Sequence, residues 1–129
     1  MTTANSVYID MFNSKLDEFI KELVHSFPEV KPFAFIKTAI TMLKNVNPKR
    51  PIEIFHKYVH DVYKEFIINK DEQFFLNANY DMSQTTAVEY WQEFIDNIRN
   101  IWFTLDDNEK EAIWRYFHIL LVLDEKMYA

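Results

Sequence analysis

Hydrophobic side chains recur along this chain every three to four residues, which is the spacing of one face of an α-helix. The first stripe covers about residues 6–27, with its apolar positions inside an arc of roughly 160° at 100° per residue. Glu18, Lys21 and Glu22 fall on the opposite side. Pro28 ends the stripe, because the residue before a proline resists helical geometry. The pattern therefore predicts a strongly amphipathic first helix.

Two further helices are predicted from the same spacing, over about residues 32–44 and from about residue 47 to residue 68. Asn45 and Asn47 separate them in a chain that has no glycine. Asparagine tolerates the left-handed conformation that closes many helices, so we expect these residues to end the second helix. Asn47 is also expected to cap the third helix, with a proline in its first turn.

The second half of the chain contains two matches to a capping box, in which a polar N-cap residue and a glutamate three positions later satisfy each other's backbone donors. Thr86 and Glu89 mark the start of a fourth helix that reaches about residue 104, and Asp106 and Glu109 mark the start of a fifth. Residues 112–123 are apolar nearly all round, as in the middle of a bundle or in an oligomer interface. Residues 71–81 are predicted to form a short helical turn packed on the body, or a segment awaiting a partner.

No strand pattern competes with these helices, so the sequence predicts an all-α fold: a single-domain bundle of about five helices over residues 1–129. The absence of glycine and cysteine excludes phosphate-binding loops, nucleophile elbows, disulfides and thiolate metal sites. No leader or membrane segment is recognisable. We expect an intracellular protein, in the cytoplasm or nucleus of the producing or host cell, with no cofactor and no membrane contact.

The net charge of −6 is unevenly distributed along the chain. Residues 31–70 carry eight basic and three acidic side chains, whereas residues 71–129 carry four basic and twelve acidic ones. Such asymmetry fits either an anionic partner for the basic section or attraction between the two halves. Lys37 and Lys44 share a face of the second predicted helix, and Lys49 and Arg50 follow at the predicted start of the third, where backbone N–H groups favour anions. They are the candidate residues for binding an anion or a nucleic acid.

Catalytic chemistry has little support in the sequence. His56 and His60 have the i, i+4 spacing that can place two imidazoles on one metal ion, with Glu53 as the only carboxylate placed to join them. Lys57 and Lys64 lie beside this pair and would repel a cation. The histidines are therefore interpreted as residues at the edge of the apolar stripe, and no metal site is predicted. No nucleophile, base and orienting group occur together at a suitable spacing.

Large aromatic residues are concentrated in the last two predicted helices. They predict an aromatic cluster between these helices, which can belong to the core. The surplus of apolar positions on both helices exceeds what a monomer of this size comfortably buries, however, which indicates a homodimer interface or a surface for another protein. The candidate partner-binding residues are Trp91, Trp102, Phe103 and Trp114.

The hydrophobic patterns at the two ends of the chain are similar to those of a known group of proteins. Phe12, Leu16, Phe19, Leu23 and Phe27–Pro28 at one end, and the run from Ala112 to Leu121 at the other, resemble small uncharacterised helical proteins of large DNA viruses that infect algae and protists. The resemblance implies a helical protein of viral origin and identifies no catalytic or binding residues.

The sequence thus predicts a non-enzymatic helical interaction protein, of viral or accessory type. It would bind another protein, or associate with itself, through the aromatic-rich C-terminal helices. The alternative is a nucleic-acid-associated protein that uses the basic section of residues 31–57.

Overall fold

A computed structural model of the chain describes residues 3–77 and 86–129. Its elements are α1 (Thr3–Ser26), α2 (Lys31–Val46), α3 (Arg50–Ile54), a π-helical segment (Phe55–His60), α4 (Asp61–Asn69), α5 (Glu72–Asn77), α6 (Thr86–Ile101), a 3₁₀ turn (Trp102–Thr104) and α7 (Asp107–Met127). Because α3, the π segment and α4 follow one another without a break, these ranges form six helices and contain no strand. The all-α prediction is confirmed, and the expected number of about five helices is corrected to six.

The additional helix is α5, in the segment where the hydrophobic pattern is least periodic. Its Phe75 is buried and contacts Trp102 and Trp114, at ring-centroid distances of 5.4 and 5.5 Å that are ordinary for packed aromatic pairs. The sequence left two alternatives for residues 71–81, a short helical turn packed on the body or a segment awaiting a partner. The described part, α5, is the packed helical turn. Residues 78–81 of the predicted segment lie outside the described residues.

The capping box at the start of α7 is confirmed. The Asp106 carboxylate accepts a hydrogen bond from the Glu109 backbone N–H at 2.8 Å, and the Glu109 carboxylate accepts one from the Asp106 N–H at 2.9 Å. Two otherwise unpaired donors of the first turn are thereby satisfied. The side chains of the other predicted capping box, Thr86 and Glu89, lie outside the described residues.

The helix ends differ from the expectation for asparagine. Asn47 follows α2 with extended backbone angles (φ −151°, ψ 101°) instead of left-handed ones, and its side chain accepts a hydrogen bond from the Lys49 N–H in the loop rather than capping α3. Among the described residues, only Lys70 has a positive φ, at 51°. It ends α4 in a Schellman arrangement in which the Lys70 and Asp71 N–H groups donate to Ile67 and Phe66. The double backbone hydrogen bond holds a lysine where glycine is usual.

The described helices share one continuous core. α1 packs against α2 and α7, α2 packs against α6, and α7 also contacts α4 and the π segment. Phe19 of α1 shows how these helices meet, because its ring contacts Phe94 of α6 and Phe117 of α7 edge to face at 5.2 and 5.3 Å. The apolar faces predicted from periodicity therefore converge on one aromatic centre.

The last helix, α7, buries one side along most of its length. Its buried positions extend from Ile113 to Met127, while Arg115 and His118 are exposed. None of the described helices is long and apolar enough to cross a lipid bilayer.

Candidate functional site

The three tryptophans predicted to bind a partner lie inside the core of the chain. Trp91 and Trp114 are almost fully buried, and Trp102 has no exposed surface. Trp102 and Trp114 contact each other edge to face at 5.4 Å, and Trp91 contacts Phe55 at the same distance. Their rings thus stabilise contacts among helices of one chain, and a partner could not reach them without opening the core.

Phe103 is the member of the predicted set that lies on the surface, with 80% of its area exposed. It occupies the 3₁₀ turn directly after Trp102, so the two neighbouring aromatic residues have opposite environments. Its role in binding a partner stays a prediction.

The four basic candidates fall into two pairs. Lys49 and Arg50 both approach the Glu53 carboxylate, at 3.9 and 3.8 Å, so this carboxylate partly neutralises them. Lys37 and Lys44 lie on one side of α2, seven residues apart, and neither has an ion-pair partner among the described residues. The structure therefore does not join all four into one continuous unpaired patch.

A second surface feature lies on α2, and the sequence analysis did not identify it. Phe35, Met42 and Val46 are exposed by 61%, 64% and 86%, and with Ala39 they form a stripe that we call the α2 apolar face. The opposite side of α2 supplies Phe33, Ile36 and Ile40 to the core. The signal was present in the sequence, because α2 has more apolar positions than one buried face can use.

A cluster of polar side chains joins the π segment to α7. His56 and His60 occupy the π segment, and Asp124 reaches them from α7; these three residues are called the His–Asp cluster. His56 Nδ1 lies 3.0 and 3.1 Å from the two Asp124 oxygens, and His60 Nε2 lies 3.7 Å from Asp124 Oδ2. π-helical turns are rare and occur frequently at functional sites.

Asp124 is fully buried and is the only charged side chain among the buried residues that the structure describes. Burial raises the pKa of its carboxyl group, while the hydrogen bond from His56 and the nearby charges of both histidines act in the opposite direction. A buried carboxylate is costly unless it is paired or coordinates a cation. Among the described residues, the ion-pair partners of Asp124 are these two histidines, with no lysine or arginine in contact.

Besides Asp124, two further carboxylates contact the His60 ring, one at each nitrogen. Its Nδ1 donates a hydrogen bond to Asp61 at 3.1 Å, and its Nε2 lies 3.2 Å from Glu125 Oε2. Burial opposes protonation of His60, but these hydrogen bonds and the charge of Asp124 outweigh it, so the pKa of His60 is raised. The Lys64 ammonium, 2.7 Å from Glu125, is the main reason that the pKa of Glu125 is lowered.

Sequence reasoning found the histidines but assigned them the wrong carboxylate. Glu53 pairs with Lys49 and Arg50, and Asp124 takes the place beside the imidazoles. The missed signal was the register of α7, because residue 124 continues the buried series of residues 113, 117, 120 and 127. A carboxylate at a core position of an amphipathic helix indicates that a specific partner lies opposite it.

Comparison with protein-family models, with curated proteins and with solved structures finds no match to this chain. The resemblance of the two chain ends to viral helical proteins stays a prediction.

Proposed function

We propose that this protein acts by binding another protein, rather than by catalysis, and that the α2 apolar face is its docking surface. The observation that carries the proposal is the exposure of Met42 and Val46, at 64% and 86%, on a helix whose other side is already buried. Isolated exposed apolar residues are common on protein surfaces, but a continuous apolar stripe is typical of an interaction site.

The spacing of the α2 apolar face favours a helix as the bound element. Phe35, Ala39, Met42 and Val46 follow one another at intervals of four, three and four residues, which is the seam of a coiled coil. Ala39 at the second position leaves room for a large side chain of the partner to pack between its neighbours. An amphipathic helix laid along this stripe would use the helix-in-groove mode of recognition.

The charge of α2 favours an acidic partner over a second copy of this chain. α2 contains Lys31, Lys37 and Lys44 and no acidic residue, and the chain continues with Lys49 and Arg50. Lys31 lies one helical turn before Phe35, at the edge of the docking surface. Two copies packed face to face would bring six lysines and no carboxylate to the paired helices. An acidic helix supplies the complementary charge.

The proposal is tested with a designed amphipathic peptide of about 21 residues that carries leucine at the seam positions and glutamate beside them. A matched peptide with lysine in place of glutamate is the charge control. Fluorescence anisotropy should show tighter binding of the acidic peptide. Met42→Glu should weaken that binding by about tenfold or more, because charging a central interface position costs about 1.4 kcal/mol or more.

Ile68→Glu is the control variant, because Ile68 is an exposed apolar residue on a different helix and should leave binding unchanged. Phe103→Glu shows in the same assay whether the surface residue of the predicted C-terminal interface contributes. Equal binding of both peptides, or no effect of Met42→Glu, contradicts the proposal. If light scattering shows a dimer, and Met42→Glu dissociates that dimer, then a second copy of the chain covers the α2 apolar face. This result also contradicts the proposal of an acidic partner.

Nucleic-acid binding is the alternative function, and the unpaired state of Lys37 and Lys44 among the described residues is the observation that favours it. The binding would be independent of sequence and sensitive to salt. The double variant Lys37→Glu/Lys44→Glu should abolish it in a low-salt gel-shift assay. The variant Lys49→Glu should have a smaller effect, because Glu53 already pairs with Lys49.

A further inference from the structure

The His–Asp cluster brings three potential metal ligands from two distant parts of the chain to one place. One ligand atom from each of His56, His60 and Asp124 can be chosen so that all three lie within 4.8 Å of one another. In a tetrahedral zinc site with metal–ligand distances near 2.0–2.1 Å, the ligand atoms are about 3.3 Å apart. The observed separations from Asp124 Oδ2, 3.1 Å to His56 Nδ1 and 3.7 Å to His60 Nε2, bracket this value.

The hydrogen bonds around His60 direct one ring nitrogen toward the centre of the cluster. Asp61 accepts a hydrogen bond from Nδ1, so the neutral ring carries its proton there and presents the lone pair of Nε2. That lone pair faces the oxygens of Glu125 at 3.2 Å and Asp124 at 3.7 Å. Three electron-rich atoms repel one another unless a cation lies between them or the ring is protonated.

A histidine whose second nitrogen donates to a carboxylate is the usual arrangement around bound metals. The contact with Asp61 orients the His60 ring and increases its basicity as a ligand, as the outer carboxylate does in metalloproteins. Stacking of Tyr128 on His56, with ring centroids 3.9 Å apart, holds the second imidazole in place. Both rings are therefore positioned before any ligand arrives.

The charges near the cluster also favour a cation. Asp124 is fully buried, and no lysine or arginine among the described residues contacts it. Glu125 adds a second carboxylate, while Lys64, which appeared in the sequence to repel a metal, forms an ion pair with Glu125 at 2.7 Å. Lys64 thus pairs with Glu125, while the ion-pair partners of Asp124 among the described residues are the two histidines.

We propose that His56 Nδ1, His60 Nε2 and an Asp124 carboxylate oxygen form a binding site for one divalent transition-metal ion, with Zn²⁺ as the best-suited ion. Two imidazoles and one carboxylate suit zinc and its neighbours, whereas Mg²⁺ and Ca²⁺ prefer all-oxygen sites. Glu125 or a water molecule completes the tetrahedron. On binding, the neutral His56 ring changes tautomer: its single ring proton leaves Nδ1 and, exchanged through solvent, resides on Nε2, so that the Nδ1 lone pair binds the metal. The ion links the π segment to α7, independently of the α2 apolar face.

The test measures zinc binding by isothermal titration calorimetry on the full chain, purified without a histidine tag and treated with a chelator. We expect one Zn²⁺ per chain and no heat from Mg²⁺. His60→Gln and Asp124→Asn should abolish binding. Asp61→Asn, which removes the orienting contact and no ligand, should weaken it by about 10- to 100-fold. Co²⁺ absorption should report a tetrahedral site with nitrogen and oxygen ligands.

His118→Gln and Glu53→Gln are matched controls and should bind zinc as the unmodified chain does, since His118 is exposed on α7 and Glu53 pairs with Lys49 and Arg50. Absence of stoichiometric zinc binding would show that the cluster is an ion-pair network only and overturn the proposal. Equal zinc affinity in the unmodified chain and in His60→Gln also overturns it. If circular dichroism shows that Asp124→Asn does not fold, His60→Gln and Asp61→Asn, at the edge of the cluster, decide the question.

Discussion

Trp102 and Phe103 are consecutive aromatic residues in one 3₁₀ turn, and the structure predicts opposite effects when each is replaced by alanine. Trp102 is fully buried against Phe75 and Trp114, both at 5.4 Å between ring centroids, whereas Phe103 is 80% exposed. Truncation of a buried tryptophan to alanine costs about 3–5 kcal/mol, but an exposed side chain away from specific contacts changes stability by about 0.5 kcal/mol or less.

One detail of the site lowers the expected cost for Trp102. Its indole Nε1 is buried and has no hydrogen-bond acceptor among the described residues. Such an unsatisfied donor carries a desolvation penalty of about 1–3 kcal/mol, which is relieved when the indole is removed. We therefore expect Trp102→Ala to lose about 3 kcal/mol, at the lower end of the range. Trp102→Phe keeps most of the aromatic packing and removes the orphan donor, so it should lose less than half as much.

The assay is urea unfolding followed by far-ultraviolet circular dichroism, with stability compared at equal m-values. With an unfolding entropy of about 2.1 cal/mol/K per residue, a loss of 3 kcal/mol corresponds to a decrease in Tm of about 10 °C. A loss below about 1 kcal/mol in Trp102→Ala would refute the conclusion that the tryptophans form the core. Equal losses in Trp102→Ala and Phe103→Ala would refute the assigned environments.

Three further substitutions test individual contacts, each by the same unfolding assay. Asp106→Ala removes the N-cap of α7 and should cost about 1 kcal/mol, with a smaller loss in Asp106→Asn, because asparagine is also a good cap. Asn13→Ala removes the hydrogen bond of 2.8 Å to the Pro48 carbonyl, but it also removes the buried Asn13 Oδ1, which has no hydrogen-bond donor among the described residues, so it should cost only about 0.5–1 kcal/mol. The exposed neighbour Ser14→Ala should be neutral. Arg99→Lys removes the guanidinium group, whose Nε–H donates a hydrogen bond to the Phe75 carbonyl of α5. The backbone amides of α5 should therefore exchange hydrogen faster, while those of α1 should not change.

Each of these tests has an outcome that contradicts its reasoning. Equal stabilities of Asp106→Ala and the unmodified chain would mean that α7 does not need its capping box. Because alanine has the highest helix propensity, neither change should weaken α1 itself, and a loss in Ser14→Ala as large as that in Asn13→Ala would show that the buried hydrogen bond is not the cause. Faster exchange throughout the molecule in Arg99→Lys would show that α5 does not open separately from the rest of the fold.

Much of the fold could be predicted from periodicity and capping, because these depend on residues close together in the chain. The stripe before Pro28 and the reciprocal pair of Asp106 and Glu109 both correspond to helices of the structure. The end of α4 could not be predicted in this way. Lysine has no intrinsic preference for the left-handed conformation, and Lys70 adopts it because two backbone hydrogen bonds close the turn.

The candidate sites divide along the same line. Spacing in the sequence was sufficient to select His56 and His60, but their carboxylate, Asp124, is more than sixty residues away along the chain. Only the packing of α7 against the π segment brings it within hydrogen-bonding distance. Likewise, the apolar pattern of the sequence contains more hydrophobic positions than a monomer comfortably buries, but only the tertiary structure determines which of them stay exposed. The tryptophans are enclosed because helices from the whole chain surround them, whereas the α2 apolar face points away from that common core.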